Sequence, residues 1–191
     1  MIEMTFGRTA VRLDFSFFAA AAFFLMLGTS GLCALAFAFC AVHELSHLMV
    51  MAMCGVEVQS VTFCGAGIGI AARGLEQERL SVQAAVLVAG SSANVLLALA
   101  LFALECREPA ALCLFTGVIN LLPAGALDGA RLLRLAAVKL ARPERVERIC
   151  RAVGALTVAL CAAALAVFAG RLGMAAVCAA AYFLLINVIM A

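Results

Sequence analysis

Apolar runs about as long as a bilayer is thick follow one another along this chain, and they limit its folds more than anything else in the sequence. A helix crosses the hydrocarbon core with roughly 20 predominantly apolar residues. Runs of that kind occupy 15–32, 33–54, 82–104, 109–127, 149–169 and 172–190. Of 191 residues, 67% are hydrophobic and 13% charged, against about half and about a quarter in a soluble domain. The expectation is an all-α polytopic membrane protein of about six transmembrane helices, one domain over 1–191, with little left for a soluble part. Only Gly28-Thr29-Ser30-Gly31 separates the first two runs, which predicts a tight antiparallel helix pair. The opening MIEMTFGRTAVRLD is polar and the first apolar run is too long for a signal peptide, so no cleavage is expected.

Two segments between the runs carry their own patterns. Residues 55–80 begin with β-branched residues in partial alternation and continue through a Gly-rich turn. This predicts a small membrane-associated β-hairpin over 56–71, between the second and third transmembrane helices. Residues 128–148 have apolar positions at helical spacing with Arg and Lys between them, interrupted at Pro143. An interfacial amphipathic helix followed by a short loop is expected there. The Arg-rich 131–151 stretch is expected to meet anionic headgroups of the lipid bilayer. Its basic residues are few and interfacial, which argues against a nucleic-acid partner. A cytosolic N-terminus with six spans puts Arg8, Arg12, Arg73, Arg79, Arg131, Arg134, Lys139, Arg142, Arg145, Arg148 and Arg151 inside, and leaves Arg107 and Arg171 outside. Positive residues favour the cytosolic side, so both termini are expected there. The nine cysteines are scattered, without a CxxC pair, and read as small packing residues.

One span breaks the apolar rule. Within AVHELSHLMV, residues 41–50, stand the two histidines of the chain, His43 and His47, with Glu44 beside the first. Four residues apart on a helix, the imidazoles differ by about 40° and about 6 Å along the axis. Both can then reach one metal ion, while Glu44 can serve a water as general base. This is the logic of HExxH, with an open coordination position. The bland reading is a histidine pair satisfied by its neighbours with Glu44 protonated. Ionisable residues inside a membrane are costly and usually mark function, which favours a divalent cation.

A zinc site needs a third protein ligand, and no other histidine exists. Among the carboxylates Asp128 stands out, in NLLPAGALDGARLL. The topology brings the spans holding His43 and Asp128 through the membrane in the same direction. A straight helix from Pro109 would put Asn120 near the depth of His43, with Asp128 about 12 Å beyond. The chain must therefore stop advancing between 120 and 128, and Pro123, Gly125 and Gly129 offer the break. Capping the following helix is the structural alternative for Asp128, and it is compatible with ligation.

At these residues the sequence resembles the site-2 proteases, intramembrane zinc metalloproteases. HELSH at 43–47 matches the family's HExxH; GSSAN at 90–94 resembles its G-x-x-x-N signature, with Ser91 where Pro often follows the Gly; NLLPAGALDG at 120–129 matches N-x-x-P-x(4)-D-G. The resemblance covers the central part, 33–129. It implies one zinc ion held by His43, His47 and Asp128, with Glu44 as general base. Asn120 would hydrogen-bond the substrate or its developing oxyanion, and Asn94 and Gly90 would belong to substrate binding. The layout looks most like the sporulation branch, which releases a sigma factor from a membrane-tethered precursor. That implies a multi-pass protein of the bacterial cell membrane, a membrane-protein substrate and a regulatory membrane partner. The CBS or PDZ domain that many members carry is not expected within these 191 residues. A helical substrate must unwind before cleavage, and the 56–71 hairpin could lend it a strand edge. Two alternatives use the same residues differently: a membrane metal-binding or transport protein, and an inactive homologue that binds membrane proteins.

Overall fold

The computed structural model describes residues 1–26, 30–65, 67–138, 142–168 and 181–182. Two compact units divide the chain, Met1–Val118 and Ile119–Ala191.

The polar opening of the first unit is two strands, β1 (Ile2–Phe6) and β2 (Thr9–Leu13), antiparallel about Gly7 and Arg8. Helices α1 (Phe15–Met26) and α2 (Ser30–Met53) follow, then β3 (Glu57–Cys64) and β4 (Gly67–Arg73). β3 and β4 pair antiparallel with a bulge between Val58 and Ser60. β2 lies parallel to β3, with Ala10 opposite Ser60 and Leu13 opposite Phe63. Parallel strands need a long crossover, and here α1 and α2 supply it. The expected hairpin is thus half of a four-stranded sheet in the order β1-β2-β3-β4, and the chain is mostly helical rather than all-α. β3 has a neighbour on each side, so the strand edge that stays open next to it belongs to β4.

Local contacts fasten α1 to the sheet. Asp14 caps the helix, its Oδ1 accepting from Ser16 N–H at 2.8 Å, while its own N–H donates to Phe63 O at 2.9 Å. Hydrogen bonds from Ser16 favour the carboxylate and hold the Asp14 carboxyl below its ordinary value, the Ser16 backbone N–H contributing most and its side chain next. Phe17 stacks edge-on against Phe37 and Phe63 at 6.1 and 5.8 Å between ring centres.

The end of α2 is a Schellman turn, with Val56 N–H to Met51 O at 2.9 Å and Gly55 N–H to Ala52 O at 3.2 Å. Gly55 takes φ +73°, a conformation that costs glycine little. After a short turn of 3-10 helix (Leu75–Gln77), α3 (Leu80–Ala103) packs along α2. Phe39, Ala98 and Cys113 form one core, and Met51, Val56 and Val86 another that meets Val58, Ile70 and Ala72 of the sheet. α4 (Arg107–Asn120) completes this unit up to Val118.

In the second unit α4 ends at Asn120, α5 (Asp128–Val138) begins only at Asp128, and α6 (Pro143–Phe168) packs against α5. The chain does stop advancing between 120 and 128. Gly125 sits at φ +54° in the turn. Gly129 lies so close to the Leu121 and Leu122 carbonyls that a Cβ there would collide with them. Pro143 opens α6 instead of breaking a helix, and RVER belongs to that helix rather than to a loop.

Three described helices are long and apolar enough to cross a membrane: Ala34–Met53, Leu80–Ala103 and Glu144–Val167. α1, in the run 15–32, is a shorter apolar helix, and α4, in the run 109–127, has 14 residues. Most of the run 172–190 lies outside the described residues, as do Gly28 and Thr29 of the expected Gly28–Gly31 turn. Six spans are therefore not what the described residues show. The cysteines at 40, 54, 64, 106, 113, 150 and 161 are free.

Candidate metal centre

Helical spacing on α2 stacks His43 and His47 one turn apart on the face turned to α3. Both are buried, at 2% and 5% exposure. Their rings cross nearly at right angles, with centres 4.7 Å apart. The two Nε2 atoms are 3.1 Å from each other. His47 Nδ1 lies 2.6 Å from the Val86 carbonyl of α3, a group that can only accept. Nδ1 therefore carries the proton and Nε2 keeps its lone pair, the tautomer of a histidine ligand.

This pair fits a zinc ion. Two nitrogen ligands at about 2.0–2.1 Å in tetrahedral arrangement lie roughly 3.3 Å apart, close to the separation found. The room comes from α3. Gly90 passes flush against the imidazoles: a Cβ on it would stand 2.6 Å from His43 Cε1, 2.6 Å from His47 Nε2 and 2.7 Å from His43 Nδ1. Any larger residue would push a ring away. Glu44, next along α2, is half-buried.

Asn94, one turn beyond Gly90 on α3, is fully buried. Its side-chain oxygen and nitrogen make no hydrogen bond among the described residues, nor does the Ser91 hydroxyl. Gly117 of α4 presses against both residues, and a Cβ there would stand 3.0 Å from Asn94 Cβ and 3.2 Å from Ser91 O. Cys113 Sγ donates to the Asn94 carbonyl at 3.3 Å. In the second unit, half-buried Asn120 closes α4, and buried Asp128 opens α5.

The first unit thus brings together His43, His47 and Gly90, with Asn94 a turn away. Sequence reasoning missed the Val86 carbonyl, because a backbone oxygen leaves no mark in a side-chain pattern. It also missed Gly117, whose contact shows only once α3 and α4 are paired.

No protein-family model and no curated protein matches this chain. Among solved structures, the Site-2 Protease from Methanocaldococcus jannaschii superposes with a TM-score of 0.70 at 16% identity, covering 99% of this chain and 94% of that one. The fold is that of a site-2 protease. At the level of the fold, this agrees with the resemblance drawn from HELSH, GSSAN and NLLPAGALDG.

Proposed function

We propose that this protein is an intramembrane zinc metalloendopeptidase that cleaves a membrane-tethered protein in or near its transmembrane segment. The observation that carries this reading is the His43–His47 pair, buried in a helix fit to span a membrane, its Nε2 atoms 3.1 Å apart and His47 Nδ1 fixed by Val86. Asp128 is the third ligand in this proposal. Each of the three is buried, and two imidazoles with one carboxylate are a donor set that suits zinc.

Bound there, zinc would polarise the scissile carbonyl and make water a competent nucleophile at neutral pH. Glu44 takes the proton of the attacking water on its carboxylate and passes it to the leaving amine. Asn120 donates a side-chain N–H to the oxygen on which negative charge develops. Asn94 holds the unwound substrate backbone once α3 and α4 let it in, and Gly90 keeps the adjoining space clear. The open edge of β4 offers the unwound strand a partner.

The substrate class is a single-span regulatory precursor such as a membrane-bound sigma factor. Its fragment is released into the cytosol of a bacterium, under control of a membrane partner. Purified wild-type and Glu44→Gln proteins should hold equal stoichiometric zinc. Co-expressed with a single-span substrate, the wild type should give a chelator-sensitive soluble fragment and Glu44→Gln none. Hydrolysis by Glu44→Gln would refute the assignment of the base.

A further inference from the structure

Positive charge concentrates in the second unit. α5 carries Arg131 and Arg134, Arg142 precedes α6, and the start of α6 carries Arg145, Arg148 and Arg151, all exposed. Besides buried Asp128, Glu144 and Glu147 are the acidic residues of this stretch. Glu147 is engaged: Arg134 Nη2 donates to its Oε2 at 2.9 Å. That contact ties α5 to α6, so the cationic surface is one side of a packed helix pair.

Which side of α6 faces outward is fixed by packing. Val146 is buried, and a Cβ on Gly154 would stand 3.3 Å from the Pro123 carbonyl. Arg145, Arg148 and Arg151 therefore point away from the unit. Beyond Arg151 the same helix becomes apolar, and Leu156, Leu160 and Val167 are exposed along the candidate span Glu144–Val167. A helix that is basic for its first turns and apolar afterwards leaves the hydrocarbon near Arg151. Its arginines then stand at the height of the phosphates, within a Debye length of the surface.

We propose that this arginine surface binds the phosphate headgroups of anionic phospholipids in the leaflet where α6 begins. Charge complementarity supports that occupant, because guanidinium forks match phosphate oxygens in pairs. Continuity supports it too: the surface adjoins a lipid-facing helix body, where headgroups are present without any recruited partner. This goes beyond the peptidase reading and stands apart from the metal.

The test uses the full chain in phosphatidylcholine vesicles doped with spin-labelled phosphatidylglycerol or spin-labelled phosphatidylcholine, with the motionally restricted fraction read by EPR. Phosphatidylglycerol should be preferred about fivefold for each arginine that a headgroup engages, and the preference should fall with added salt. The R131Q/R145Q/R148Q/R151Q variant, which spares the Arg134–Glu147 pair, should lose most of that preference and keep at most about the fivefold that Arg142 can give. The matching four-lysine variant should retain most of the wild-type preference. Equal association of both lipids with the wild type, or a preference untouched by the four glutamines, overturns the proposal. If the glutamine variant does not insert, the salt series on the wild type decides, and a preference unaffected by high salt overturns it. A soluble oligoglutamate that displaces the restricted lipid at lower concentration than free phosphatidylglycerol vesicles would assign the surface to an acidic protein partner and overturn it equally.

Discussion

The space in which two imidazoles converge is made by a missing side chain. Gly90 lets α3 approach until a single added carbon would fall within 2.7 Å of three ring atoms. Gly90→Ala should therefore leave purified protein with well under one zinc per chain by elemental analysis. Gly31→Ala, on α2 with nothing within 4 Å of its added carbon, should keep full occupancy. Asp14 gives a pH signature at the same scale. Hydrogen bonds from the start of α1 hold its folded-state carboxyl below the ordinary value, so the stability it adds is present above the unfolded value and lost as pH falls through the folded one. The gap in melting temperature between wild type and Asp14→Ala should be widest above the usual carboxylate range and shrink on acidification. A gap that stays constant with pH would discard this account. His43, His47 and Glu44 were legible in sequence because polar groups in an apolar run declare themselves. Gly90 was legible as a motif letter only, since its effect depends on which helix lies opposite.

Elements end in this protein by the same device twice, once with the wrong residue. The Schellman turn after α2 has glycine at the left-handed position. The turn after α3 repeats it, Cys106 N–H bonding Leu101 O at 2.9 Å and Glu105 N–H bonding Phe102 O at 3.1 Å, but places Glu105 at φ +60°. A side chain there costs about 1 kcal/mol or more. The exposed Glu105–Arg107 pair at 3.1 Å returns little. Glu105→Gly should raise stability by about 1 kcal/mol, read as a shift in thermal or denaturant midpoint, with Glu105→Ala giving no such gain. Element limits were readable where periodicity is local, as on α2 and α3. They were lost where a distant partner decides: Ile2, Met4 and Phe6 alternate correctly, yet β2 becomes a strand by pairing with β3, about fifty residues on. Pro143 misled in a different way, because proline suits the first turn of a helix as well as it breaks the middle.

At the scale of the molecule, the proposed ligands lie far apart in sequence, on α2 and at the head of α5. An ion that binds the folded chain alone stabilises it by mass action, about 4 kcal/mol at a thousandfold excess over its dissociation constant. Chelation should lower the melting temperature of wild type and of Glu44→Gln alike, and leave that of His47→Ala nearly unmoved. An unchanged wild-type midpoint in chelator would contradict a resident structural role for the metal. The parallel join of β2 to β3 has a separate consequence. Both ends of the excursion made by α1 and α2 are stitched into one sheet, so the chain has to return to the compartment it left. Whatever depth those two helices reach, they make an even number of passages. A reporter fused ahead of β1 and another inserted near Gly74 should therefore always light up on the same side of the bilayer.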